Sequence, residues 1–157
     1  VTIAETIRAL RQFQSELPTL VGNEMINYAL DNMRAESFDG DPWPPRRSNA
    51  PRNEGRRLLV DTGDGERSIR ITRMTQDLVE ISANVYMAAH NEGARISGSQ
   101  NVRAHTRRTR SRSVEVRAHT RQVDFSLPKR TFLDSASPVL ARRVESVLEQ
   151  RLNALLS

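Results

Sequence analysis

The chain has 157 residues, of which 37% are hydrophobic and only 4% aromatic, with no cysteine and a formal net charge of +5. This suffices for one domain, residues 1–157, around a core that is either aliphatic and modest or completed by neighbouring subunits. It excludes disulfides, thiol nucleophiles and thiolate metal sites and fits assembly in a reducing cytoplasm. No run nears the ~18 apolar residues of a membrane span and no signal-peptide pattern opens the chain, so no membrane role is expected.

Ile3, Ile7, Leu10, Phe13 and Leu17 recur every three or four residues and predict an amphipathic helix ending near Pro18, because the residue before proline avoids the helical region. A second helix is expected from Val21, Met25, Ala29 and Met33. The stretch FDGDPWPPRRSNAPRNEGRR, rich in Pro, Gly and charge, reads as an extended loop. Its Trp43 either pins the loop to the core or offers an exposed contact.

Leu58 to Val60 lead into a Gly-rich turn. SIRITRM and DLVEISANV then alternate apolar and polar residues about a turn at Thr75–Asp77, predicting an antiparallel hairpin. VYMAAHNEG reads as a short helix capped by Gly93. Arg-Ala-His-Thr-Arg occurs twice, at 103–107 and 117–121. In each copy Val, Ala and Thr alternate with Arg and His, which predicts two strands with a tip near Thr109–Ser113. This protruding arm, about residues 97–125, would be marginal alone and is expected to rest on another sheet or subunit. Ser137 as N-cap and Pro138 at the first helical position open a last helix with an apolar stripe through Leu140, Val144, Leu148, Leu152 and Leu155. The fold class is α+β: two N-terminal helices, an antiparallel sheet with a long basic hairpin arm, and a C-terminal helix packed on the sheet.

Several motifs suggest chemistry. An apolar run ending in Asp61-Thr62-Gly63 matches the aspartic-protease signature, in which two such aspartates share a proton, so one copy per chain would demand a dimer. Three charges directly after Gly63 and the lack of a supporting second element favour instead a strand–turn with Asp61 bonding local backbone. The oxygens of DTGDGE are wrongly spaced for an EF-hand. His105 and His119, facing each other across the hairpin, would make an incomplete metal site among repelling arginines. His90 and Glu92 lack the partners of a triad. No catalytic residue, metal or cofactor is expected.

The arm has the strongest signal. Residues 97–130 hold nine Arg or Lys against Glu115 and Asp124, a balance of +7 that leaves −2 for the rest of the chain. Lys129 is the only lysine, so the cations are guanidiniums, suited to bidentate contacts with phosphate or carboxylate. Clustered arginine fits salt-dependent phosphate binding, yet no aromatic between 97 and 124 offers a stacking platform. The alternative is docking on acidic partner subunits. Either way the contact residues are Arg103, Arg107, Arg108, Arg110, Arg112, Arg117 and Arg121.

Four stretches in order, WPPRR from Trp43, RRLLVDTGDGERSI, VYMAAHNEG and LPKRTFLDSA, resemble the phage virion morphogenesis family, the tail-completion proteins of tailed bacteriophages. The resemblance covers about residues 38–157, and the N-terminal helices match only in character. The basic insert is similar to a variant in phages or prophages of Bacteroidetes-type hosts. Asp64-Gly65-Glu66 and Asp134 depart from the family's pattern. The resemblance implies a non-enzymatic structural role for Trp43, Asp61, Gly63, Tyr86, His90, Glu92, Gly93, Pro128, Arg130 and Phe132. It also implies a virion protein of the neck or upper tail, assembled in the host cytoplasm into a ring, commonly hexameric, at the head–tail junction. Its partners would be copies of itself, neighbouring neck, connector and tail-tube proteins, and genomic double-stranded DNA in the lumen. A basic DNA-binding module and a dimeric Asp-Thr-Gly protease are the alternatives.

Overall fold

The structure, a computed structural model, describes residues 2–46, 54–60, 62–109 and 111–157. Its first element is α1, Ile3–Ala35, 33 residues and about 50 Å long. Thr2 and Glu5 form a reciprocal cap: Glu5 N–H donates to Thr2 Oγ1 and Thr2 N–H to Glu5 Oε2 at 2.6 Å.

The expected break at Pro18 does not occur, and the two predicted N-terminal helices are one. Proline in a helix interior leaves the carbonyl four residues earlier without its donor, at a cost of roughly 3 kcal/mol. Here that carbonyl belongs to Gln14, and the side-chain amide of Gln76, from a distant turn, replaces the missing N–H: Gln76 Nε2 donates to Gln14 O at 2.7 Å. Ion pairs on both sides of Pro18 hold the helix to the last helix, α4 (Pro138–Leu156). Arg151 grips Glu16 at 2.6 and 2.9 Å, and Arg143 bridges Glu24 and Asp31. The helices therefore run antiparallel. The C-terminal helix packs along α1, which corrects its expected place on the sheet.

Inside the predicted loop lies a miniature hairpin, β1 (Ser37–Phe38) and β2 (Asp41–Pro42). Asp39 and Gly40 both have positive φ, 51° and 93°, as a two-residue primed turn requires. Leu58 to Val60 form no strand, and Asp64–Ser68 is a short helix, α2. The next hairpin is as expected: β3 (Arg70–Met74) pairs antiparallel with β4 (Val79–Ser82), with a bulge between Ile71 and Arg73. It sits close on α1 because residue 22 is glycine; a Cβ there would lie 2.6 Å from Ile71 Cδ1. α3 (Val85–Glu92) starts at Asn84, whose side chain accepts from Met87 N–H at 2.9 Å, and ends at Gly93.

The arm follows as β5 (Ala94–Val102), β6 (His105–Arg108), β7 (Ser113–Val116) and β8 (His119–Leu127). β5 pairs with β8 and β6 with β7, so the predicted single sheet is a set of separate two-stranded antiparallel ribbons. The buried core gathers Ala29, Met33, Trp43, Leu58, Ile69, Met87 and Phe132. None of it comes from the arm. No helix among the described residues is long and apolar enough to cross a membrane.

Two expectations follow. Gln76→Ala costs about 1 kcal/mol in thermal unfolding, but close to nothing in a Pro18→Ala background, where residue 18 regains an N–H for Gln14; equal costs in both backgrounds would refute the replacement. Arg151 pulls the Glu16 carboxyl from 4.5 to about 2, so the pair's contribution is fully present above pH 4.5 and is lost as pH falls toward 2. The Tm difference between wild type and Glu16→Gln is therefore widest near neutrality and closes in acid.

Candidate functional site

Most of the motif residues converge where the chain leaves the arm. Residues 129–133 run back beside α3, and three segments bond to them: α3, α1 and the loop that carries Trp43. Arg130 N–H donates to His90 O at 2.7 Å. Asn91 Oδ1 accepts from the N–H groups of Phe132 and Leu133 at 2.9 and 3.1 Å, while Asn91 Nδ2 donates to Leu133 O. Asn32 of α1 donates to Phe132 O at 3.1 Å. Trp43 Nε1 donates to Thr131 O at 2.7 Å, which selects the pinning role for this tryptophan.

The Arg130 guanidinium is buried and spends its donors on backbone, at 3.1 and 2.9 Å from Pro44 O and 3.2 Å from Pro45 O. Burial lowers its pKa. His90 is also buried; desolvation, then the nearby Arg130 charge, lowers its pKa, so it is neutral at physiological pH. Its Nδ1 has no partner among the described residues, and the exposed Tyr86 ring meets its ring edge-on at 4.7 Å. Gly93, at φ 75°, turns the chain into β5 with a would-be Cβ 3.2 Å from Lys129 Cβ. Glu92 is exposed and accepts from Asn91 Nδ2 at 2.8 Å. Thus Trp43, His90, Gly93, Arg130 and Phe132, with Pro128 just ahead, form a structural latch at the arm's root. Asn91, which does most of the bonding, was missed; its signal was an asparagine inside a helix, where that side chain competes with the backbone. Asp61 and Arg110 lie outside the described residues. Gly63, at φ 80°, precedes α2, and beside it Arg67 pairs with Asp64 at 2.6 Å.

The arm explains its repeat. One register runs unbroken from Ala94↔Leu127 through Val102↔His119 and His105↔Val116 to Arg108↔Ser113. Val-Arg-Ala-His at 102–105 thereby faces the identical Val-Arg-Ala-His at 116–119, antiparallel, about a local two-fold axis. At that axis the strand assignment lapses on both sides, at 103–104 and 117–118. Each histidine turns back on its own strand: His105 Nδ1 is 2.9 Å from Arg103 O and His119 Nδ1 2.8 Å from Arg117 O. The histidines are cross-strand partners of valines, not of each other, which corrects the expected facing pair. Among the described residues no group of three or more His, Cys, Asp or Glu could hold a metal.

At the arm's base, charge is internally matched. Arg95 forks onto Asp124 at 3.0 and 2.8 Å, and Arg121 onto Gln100 Oε1 at 3.0 and 2.7 Å. Farther out, Arg103, Arg107, Arg108, Arg112 and Arg117 are exposed and bond through their guanidiniums to no described residue. The tip is closed by Thr109, whose N–H and Oγ1 both donate to Arg112 O at 2.8 and 2.7 Å.

A latched α+β body carrying an exposed cationic ribbon defines an arm-bearing protein whose distal chemistry is directed outward. A sequence profile of the phage virion morphogenesis family matches residues 3–153, and the chain belongs to that family. The match extends through α1, beyond the stretch that the motifs cover. Its role is accordingly in assembly of the bacteriophage virion. No curated protein and no solved structure gave a match.

The latch predicts a clear contrast in thermal unfolding. Arg130→Lys, which cannot fork onto two carbonyls, costs about 1–3 kcal/mol, and Trp43→Phe about 1 kcal/mol. Arg107→Gln on the distal arm stays within about 0.5 kcal/mol of wild type. A distal substitution as costly as Arg130→Lys would contradict the division between latch and contact surface.

Proposed function

We propose that the chain is a ring-forming subunit of the phage neck or upper tail, joining or completing the tail at the head–tail junction with DNA passing through the lumen. One observation carries this reading: among the described residues, an arm about 50 Å long at ~3.3 Å per residue contributes none to the core, yet holds five exposed guanidiniums without a partner. A two-stranded ribbon of that kind is marginal in water and gains stability from a surface outside its own subunit. In a ring, each arm would reach the next copy or the next ring. A hexamer, contacts with neighbouring connector and tail-tube proteins, and residence in the virion neck follow from the same reading. The few buried residues of the body suit a subunit completed by its neighbours.

The second reading is a duplex-DNA contact by the same arginines. It is favoured by their spread over both faces of the ribbon, which gives a sequence-independent cationic surface. The Asp-Thr-Gly protease reading gains no support: Thr62 Oγ1 is engaged by Asp64, and the motif runs directly into α2.

Replacing Arg103, Arg107, Arg112 and Arg117 with glutamine is expected to leave Tm unchanged within about 2 °C and to abolish assembly. The readouts are solution mass by light scattering and infectious particles in a complementation assay. Rings and infectious phage formed by the quadruple variant would overturn the reading. If DNA alone raises the wild-type mass, and salt reverses it with a log–log slope near −0.9 per phosphate neutralised, the second reading replaces it.

A further inference from the structure

A groove of about 760 Å³ opens on the body between α1 and α4. Phe13, Val21 and Met25 face Leu140, Val144 and Leu148 across it. It adjoins a second hollow of about 320 Å³ beside α3, because Met25 and Ser135 line both. Among the described residues, the charged ones lining the pair are all carboxylates: Glu145 and Glu149 in the first, Glu92 in the second. No ion pair engages these three among the described residues. The groove is thus apolar on its floor and purely acidic in its charge.

The distal arm has the opposite character. In the β6–β7 register Val114 stands opposite Arg107 and Val116 opposite His105, so these four share one face. Arg112, two residues before Val114, falls on the same face. No described arm residue lines the groove of its own chain.

We propose that the α1–α4 groove seats the distal arm, residues 105–117, of a second copy of this chain. Val114 and Val116 meet the apolar floor, and Arg107 and Arg112, on the same face of the ribbon, meet Glu145 and Glu149. Glu145 and Glu149 lie one turn apart, about 6 Å along α4, and present two adjacent carboxylates to arginines arriving from one ribbon. Charge matching selects this occupant: the arm carries the chain's concentrated positive charge, and no cation among the described residues lines the groove to repel it. The inference rests on the ring reading and names its subunit contact.

The absence of cysteine makes two single-cysteine variants clean probes. Ala141→Cys places a thiol in the groove and Val114→Cys one on the arm. The two full-length variants are mixed and oxidised, and disulfide-linked dimers are counted on non-reducing gels beside light-scattering mass. The expected result is mixed dimers in at least several-fold excess over the same-variant dimers. Adding Glu145→Arg and Glu149→Arg to the groove chain removes that excess, and adding Arg107→Glu and Arg112→Glu to the arm chain restores it. Absence of the excess overturns the docking. With a ring-sized mass the ring reading then stands and another face carries it; with a monomeric mass that rises only on adding duplex DNA, the ring reading falls too. Arm-to-arm dimers of Val114→Cys alone would show ribbons pairing with each other and likewise overturn the proposal.

Discussion

The body is organised around one stretch of backbone, residues 129–133. Buried peptide groups need partners, and this stretch finds them in three directions: Asn32 from α1, Trp43 with the Arg130-bound carbonyls of Pro44 and Pro45 from the loop, and His90 and Asn91 from α3. A buried guanidinium is costly unless its donors are used. Arg130 uses them on the backbone carbonyls of Pro44 and Pro45. The packing of Trp43, Met87 and Phe132 depends on that network being closed.

The same latch makes a projecting arm workable. A ribbon without a core of its own needs a firm root, and Gly93 and Pro128 bracket β5 and β8 where they leave the body. Along the ribbon, antiparallel self-pairing of one repeated segment repeats the same cross-strand contacts on either side of the local axis. The arginine density also keeps two open strand edges from pairing indiscriminately.

The two long helices use the opposite strategy. Their polar flank is locked by Arg143 and Arg151, whereas the apolar flank stays partly open as the groove. Only Leu140 of the α4 stripe is fully buried. A subunit built this way keeps apolar surface in reserve, which suits the assembly role of its family.

Periodicity alone determined the amphipathic helices, the β3–β4 hairpin, the capped α3 and the two-stranded arm, because each depends on spacing and caps within a few residues. The cationic arm was legible from composition for the same reason. The Asp39-Gly40 hairpin was legible too, since Asp-Gly is a primed-turn signal, but the surrounding prolines masked it. Other features were decided only in three dimensions. Pro18 reads locally as a stop, and the donor that lets α1 pass through it comes from Gln76, more than fifty residues away. The place of α4 on α1 was set by ion pairs between residues over a hundred positions apart. Asn91 became the centre of the latch only once residues 129–133 returned beside it. Local pattern specifies which segments form and which face is apolar; partners for orphaned polar groups come from wherever the folded chain brings a donor, and no window of sequence contains that information.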